Sequence, residues 1–70
     1  MAFRAATSQD IARAMIRYGG SFVEALGRAL QHADSENEAI IQASWPKYWN
    51  RYREFAEADK NPTGEQTGKE

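Results

Sequence analysis

The chain has 70 residues, with nine Lys and Arg against ten Asp and Glu, a formal charge of −1, one His and no Cys. That is one domain at most, and it excludes disulfides, thiolate metal sites and multi-His metal sites. The lack of a cationic excess argues against a protein that coats nucleic acid, whose affinity comes from neutralising phosphates, and no apolar run approaches the ~20 residues of a membrane span.

The lead, residues 1–7, carries Phe3 as its one large apolar side chain, and its sequence does not decide whether Phe3 packs or stays loose. Thr7 or Ser8 is the first N-cap, with Asp10 as a first-turn acid. Helix 1 then runs to about Tyr18, with Ile11, Met15 and Tyr18 on one stripe and Ala12 and Ile16 on the next. Gly19-Gly20 stops it, since each glycine costs roughly 1 kcal/mol in a helix interior. Ser21 followed by Glu24 reads as a capping box opening helix 2. Its apolar stripe is Phe22, Leu26, Ala29, Leu30 and Ala33, with Val23 beside it and Glu24 four residues before Arg28 on the outer face. Gly27, between Ala25 and Ala29, marks either a close helix approach or a tolerated surface glycine.

Asp34 or Ser35 caps the next helix, whose first turn holds Glu36 and Glu38, followed by Ile40, Ile41 and Ala43. Pro46 removes a helix-interior donor and disfavours helical backbone at Trp45. The spacing therefore predicts two helices broken at 44–46, with Ser44 capping the second, in preference to one kinked helix over 35–58. The segment SWPKYWNRYREFAEA, residues 44–58, holds five of the eight aromatics and three cations, Lys47, Arg51 and Arg53, before its first acid. As a helix it puts Trp45, Tyr48, Trp49, Tyr52 and Phe55 on one face. Beyond Ala58 the composition DKNPTGEQTGKE holds no apolar residue and reads as a disordered tail. The predicted organisation is one all-α domain over 1–58 and a tail over 59–70. It is a small bundle of three or four short helices built on an αα-hairpin. The predicted core is Ile11, Met15, Ile16, Phe22, Leu26, Leu30, Ile40, Ile41, Trp49, Tyr52 and Phe55.

Candidate chemistry is sparse. A helix-turn-helix over the first two helices would use Arg13, Arg17 and Arg28 on nucleic acid. The interval from Ile11 to Ser21 is almost a helical turn too long for it, and apolar residues open the would-be reading helix. An antiparallel hairpin fits better. The run DSENE fails as a calcium loop, because Ala39 and Trp45 stand where the template needs Gly and a closing acid. His32 has no nucleophile or acid at a diagnostic spacing, so neither catalysis nor a cofactor or metal is expected. Trp45, Lys47, Tyr48, Arg51 and Arg53 form the best candidate surface, since Trp, Tyr and Arg dominate protein–protein hot spots. Stacking on single-stranded nucleic acid is the alternative use of such residues.

The segments YGGSFVEAL (18–26), ADSEN (33–37) and WPKYWNRY (45–52) resemble a loose group of small proteins of temperate phages and prophages. Ser35 stands where that group usually has Pro, and nothing of the pattern extends to Arg53 or beyond. The resemblance implies an all-helical phage or prophage protein that acts by binding a host factor such as a regulator, polymerase, replication or defence component. The combined expectation is a non-enzymatic cytoplasmic protein, a homodimer, that binds a host protein. Nucleic-acid accessory function and a structural assembly role stand as alternatives. The missing cysteines and the absence of an apolar leader core in MAFRAATSQD underlie the cytoplasmic expectation.

Overall fold

The computed structural model describes residues 3–61. They form four helices: α1 (Ser8–Tyr18), α2 (Ser21–Gln31), α3 (Ser35–Ser44) and α4 (Pro46–Lys60). The fold is all-α, as the periodicity predicts, with no strand among the described residues.

α1 is the centre of the molecule. It packs against α2 on one side and α4 on the other, while α3 touches α2 and α4 only lightly. Its Ile11 and Met15, with Leu30 of α2, are the largest fully buried side chains. Burying each stabilises by about 1.5–3 kcal/mol. Ala12 and Ala14 on α1, Val23 and Leu26 on α2, and Trp49, Tyr52 and Ala56 on α4 complete the core.

The hairpin of α1 and α2 is antiparallel along its length. Gln9 Nε2 donates to the Gln31 carbonyl (3.4 Å), and a Cβ at Gly27 would lie 2.8 Å from the Ala12 carbonyl oxygen and 2.8 Å from Met15 Cβ. At the turn, a Cβ at Gly19 would lie 2.5 Å from Val23 Cγ1. Gly27 is therefore the point of close approach. It also sets the phase of α2, whose buried stripe is Val23, Leu26, Gly27 and Leu30. Phe22 falls to the flank and is 54% exposed, so its assignment to the core is corrected. Ile40 and Phe55 are likewise exposed, and Ile16 and Ile41 only half-buried.

The helix ends follow local chemistry with two corrections. Thr7 caps α1 in a reciprocal box, Asp10 N–H donating to Thr7 Oγ1 (3.2 Å) and Thr7 N–H to Asp10 Oδ2 (2.9 Å). Asp34 caps α3 by accepting from Asn37 N–H (2.9 Å). The chain breaks between α3 and α4 at Trp45 (φ −130°, ψ 62°), with Pro46 in the first turn of α4, where its missing donor costs nothing. The expected caps at Ser21 and Ser44 do not form. Ser21 already lies inside α2 with Gly20 as a cap that has no side chain to contribute, and Ser44 is the last residue of α3.

The lead is pinned along the end of α4. Ala6 N–H donates to Glu57 Oε2 (3.1 Å), Arg4 N–H to Asn61 Oδ1 (3.1 Å), and Asn61 Nδ2 to the Arg4 carbonyl (3.0 Å). Lys60 Nζ reaches both Asp10 Oδ2 (2.7 Å) and the Ala5 carbonyl (3.3 Å). Asp59 and Lys60, read from composition as tail, are thus the last residues of α4, and Lys60 with the C-cap Asn61 helps fasten the lead, a correction to the predicted boundary at Ala58. The rest of the predicted tail, residues 62–70, lies outside the described residues. Phe3 stays exposed.

A candidate protein-interaction surface

The break at Trp45 decides what α4 presents. An N–H bond to the Ile41 carbonyl (3.0 Å) ties Trp45 to the end of α3, and its own carbonyl accepts from Trp49 N–H (3.0 Å). Trp45 thereby sits at the corner between two helices and remains 37% exposed. From there α4 turns Trp49, Tyr52 and Ala56 inward, and Tyr48 is half-buried beside them. Phe22 leans in from the first turn of α2, its ring centroid 6.0 Å from both Trp45, edge to face, and Tyr48. Aromatic pairs at such separations attract by roughly 0.5–1.5 kcal/mol beyond area burial, so the cluster is held in place without being covered.

Beside this cluster runs a groove of about 400 Å³ lined by Ser44, Trp45, Pro46, Lys47, Tyr48 and Arg51. Lys47 and Arg51 are exposed and form no ion pair among the described residues. Four of the five predicted interaction residues (Trp45, Lys47, Tyr48 and Arg51) are therefore brought together. Arg53 is not. Two residues beyond Arg51, it lies about 200° further round the helix. There it is half-buried, with Nη2 donating to Asn50 Oδ1 (3.4 Å) and Nε enclosed without an acceptor. Phe22, the member missed by sequence reasoning, comes from another helix.

The aromatic track continues toward the far end of α4. Phe55 lies 5.4 Å from Tyr52 and 5.2 Å from Tyr18, the Tyr18 hydroxyl bonds Asp59 Oδ2 (3.2 Å), and the Arg17 guanidinium sits 5.4 Å from the Tyr18 ring. Exposed aromatic surface thus extends from the α3–α4 corner to the end of α1.

Of the cations assigned to the nucleic-acid alternative, Arg13 and Arg17 line one groove of about 470 Å³ together with Lys60, Asp10 and Asp59, and Arg28 lies outside it. Arg13 pairs with Asp10, Arg28 with Glu24 (2.9 Å), and Arg17 lies against Tyr18. The carboxyl of Asp10 is held well below the usual carboxylate range, chiefly by the hydrogen bond from Lys60 and next by that from the Thr7 N–H. This perturbed group belongs to a structural junction between α1 and the end of α4. His32 is exposed at the end of α2, and its ring makes no hydrogen bond among the described residues. Among those residues there is also no cluster of three His, Cys, Asp or Glu able to hold a metal, and no helix long and apolar enough to cross a membrane.

No protein-family model, curated protein or solved structure matches the chain.

Proposed function

We propose that this is a non-enzymatic interaction protein that binds another protein through the groove of Trp45, Lys47, Tyr48 and Arg51, with Phe22 packed against its two aromatic rings. The observation carrying this reading is the juxtaposition in one place of three aromatic rings and two uncommitted cations. A large aromatic anchor beside an Arg is what concentrates binding energy at protein interfaces. The resemblance to small temperate-phage proteins makes the target a host protein in the host-cell cytoplasm, and binding blocks or redirects it. The nucleic-acid alternative draws less support, because Arg13 and Arg28 are already neutralised by carboxylates and share no groove with Lys47 and Arg51.

The test is affinity capture of bound protein with wild type, Trp45→Ala, Arg51→Ala and Arg13→Ala, each verified as helical by circular dichroism. Hot-spot truncation costs about 2 kcal/mol or more, roughly a thirtyfold loss of affinity. Trp45→Ala and Arg51→Ala are expected to lose the captured partner, and Arg13→Ala to keep it. Undiminished capture by the first two removes the site. Retention of nucleic acid in place of protein, falling steeply with added salt, replaces the reading with its alternative.

A further inference from the structure

Two grooves among the described residues differ in how their charges are balanced. In the groove beside the end of α4, Arg13, Arg17 and Lys60 stand with Asp10 and Asp59, and Asp10 holds both Arg13 and Lys60. In the groove at the α3–α4 corner, Lys47 and Arg51 are the charged lining, with no acid beside them among the described residues. The nearest acids in sequence on either side, Glu38 and Glu54, lie outside it and form no ion pair among those residues.

That imbalance works against the helix that carries it. Lys47 and Arg51 are four residues apart on α4, about 6 Å along its axis, and like charges at this spacing destabilise a helix. Lys47 also stands in the first turn, where the helix dipole favours an acid. Nothing within the described residues offsets either placement. Local conflict of this kind is expected at a functional site. Apart from Ser44, the rest of the lining is Trp45, Pro46 and Tyr48, with Trp45 partly open and both rings held by Phe22. At about 400 Å³ the groove is near the small end of ligand pockets, so it admits one large apolar side chain and its flanking residues.

We infer that the groove takes a short acidic segment of the partner protein, one large apolar side chain flanked by Asp or Glu. The apolar side chain packs on Trp45, Pro46 and Tyr48, and the carboxylates sit between Lys47 and Arg51, relieving their repulsion. Arg51 offers a planar fork that matches one carboxylate, and Lys47 a point charge for its neighbour. This rests on the reading of the groove as the partner site and adds the chemistry of what enters it. A nucleic-acid strand fits less well, since two cations release few counterions and the whole chain carries a charge of −1.

Selection from a displayed random-peptide library, with the full chain as bait, measures the preference directly. Wild type is expected to enrich sequences with Asp or Glu beside Phe, Trp, Leu or Ile. The double variant Lys47→Glu, Arg51→Glu is expected to lose them and to enrich Lys and Arg in their place. In fluorescence polarisation with the most enriched acidic peptide, each single reversal weakens binding by about fivefold or more. The same peptide with its acids changed to Lys regains affinity for the double variant. Both cations are exposed, and Lys47→Glu sets an acid in the first turn of α4 four residues before Arg51. That variant therefore melts no lower than wild type, and its lost binding is not unfolding. Wild-type selections with no acidic excess, or with no peptide enriched, overturn the proposal, as do unchanged selections from the double variant. Tighter binding of single-stranded oligothymidylate than of the acidic peptide also overturns it and makes the ligand a nucleic acid. If Trp45→Ala loses the captured partner while the library shows no acidic preference, the groove stands and only its ligand chemistry falls. If capture is undiminished as well, both fall.

Discussion

Asp10 joins the two ends of the chain, and replacing it with Asn isolates the contribution of one charge. The carboxylate accepts from Thr7 N–H inside the α1 capping box, receives Lys60 Nζ at 2.7 Å from the end of α4, and pairs with Arg13. Its side chain is 13% exposed and that of Lys60 30%, whereas Arg13 is 65% exposed. The Arg13 contact is therefore close to neutral in stability, and the Lys60 contact, partly screened by solvent, contributes about 0.5–1 kcal/mol. A negative charge in the first turn of α1 adds about 0.3–1 kcal/mol through the helix dipole. Asn keeps an acceptor for Thr7, so Asp10→Asn is expected to cost about 1–2 kcal/mol near neutral pH. For a domain whose core supplies no more than about 3–5 kcal/mol, that is a large share.

The same charge predicts a pH dependence. Because the folded-state pKa is depressed below the ~3.9 of an unfolded Asp, the stabilisation is complete well above that value. It declines from about pH 5 downward, because the unfolded chain takes up the proton first. Urea melts of wild type and Asp10→Asn, followed by circular dichroism, should differ most at pH 7 and converge steadily between about pH 5 and pH 2. A gap of constant size across that range, or no gap at pH 7, refutes the assignment of the carboxylate as the junction.

Two further predictions concern the fold. A side chain at Gly20 meets open space in extended backbone at the start of α2, so Gly20→Asp should raise stability by about 0.5–1 kcal/mol through a restricted unfolded state and a new cap. Gly27→Ala should lower it by about 1–3 kcal/mol, since the methyl group overlaps the Ala12 carbonyl and Met15. Paired thermal melts decide both signs, at about 4–8 °C per kcal/mol for a domain this size. A chain ending at Ala58 loses Lys60 and Asn61 and should melt several degrees below one ending at Asn61. Equal melting temperatures would mean that the bonds from Lys60 to Asp10 and from Asn61 to Arg4 contribute nothing.

The parts of the fold that were legible in the sequence are those set by neighbours in the chain. Thr7 with Asp10, Asp34 before Asn37, and Pro46 after Trp45 act over three residues or fewer, and the helix ends there fall where those residues put them. The phase of α2 was misread for a related reason. A stripe counted by apolar side chains runs through Phe22, Leu26 and Leu30, yet the closest approach is at Gly27, which has no side chain to count. Rotating the helix to bring Gly27 onto α1 buries Val23 and expels Phe22. The seam between lead and α4 was invisible because its hydrogen bonds join polar side chains and main-chain groups 50 or more residues apart, as in Ala6 to Glu57 and Lys60 to Asp10. No periodicity encodes such pairs, and the polar composition of residues 59–61 points away from them.

The groove was legible to the extent that one helix carries it. Trp45, Lys47, Tyr48 and Arg51 span less than two turns, so their grouping survives any arrangement of the other helices. Phe22 and Tyr18 join only because α1 and α2 turn back beside α4 at Gly19-Gly20. Arg53 shows the converse limit, since cation content alone does not say which side of α4 a residue takes. The surplus of exposed aromatic surface has a topological cause. Only α1 packs closely along α4, so one stripe of that helix, Trp49, Tyr52 and Ala56, is fully covered. α3 leaves the corner at Trp45 instead of folding over it. Tyr48, Phe55 and Trp45 flank the covered stripe and remain partly open. A four-helix chain in which α3 closed over α4 would have consumed them in its core, so the light packing of α3 leaves both the groove and its own outer face exposed.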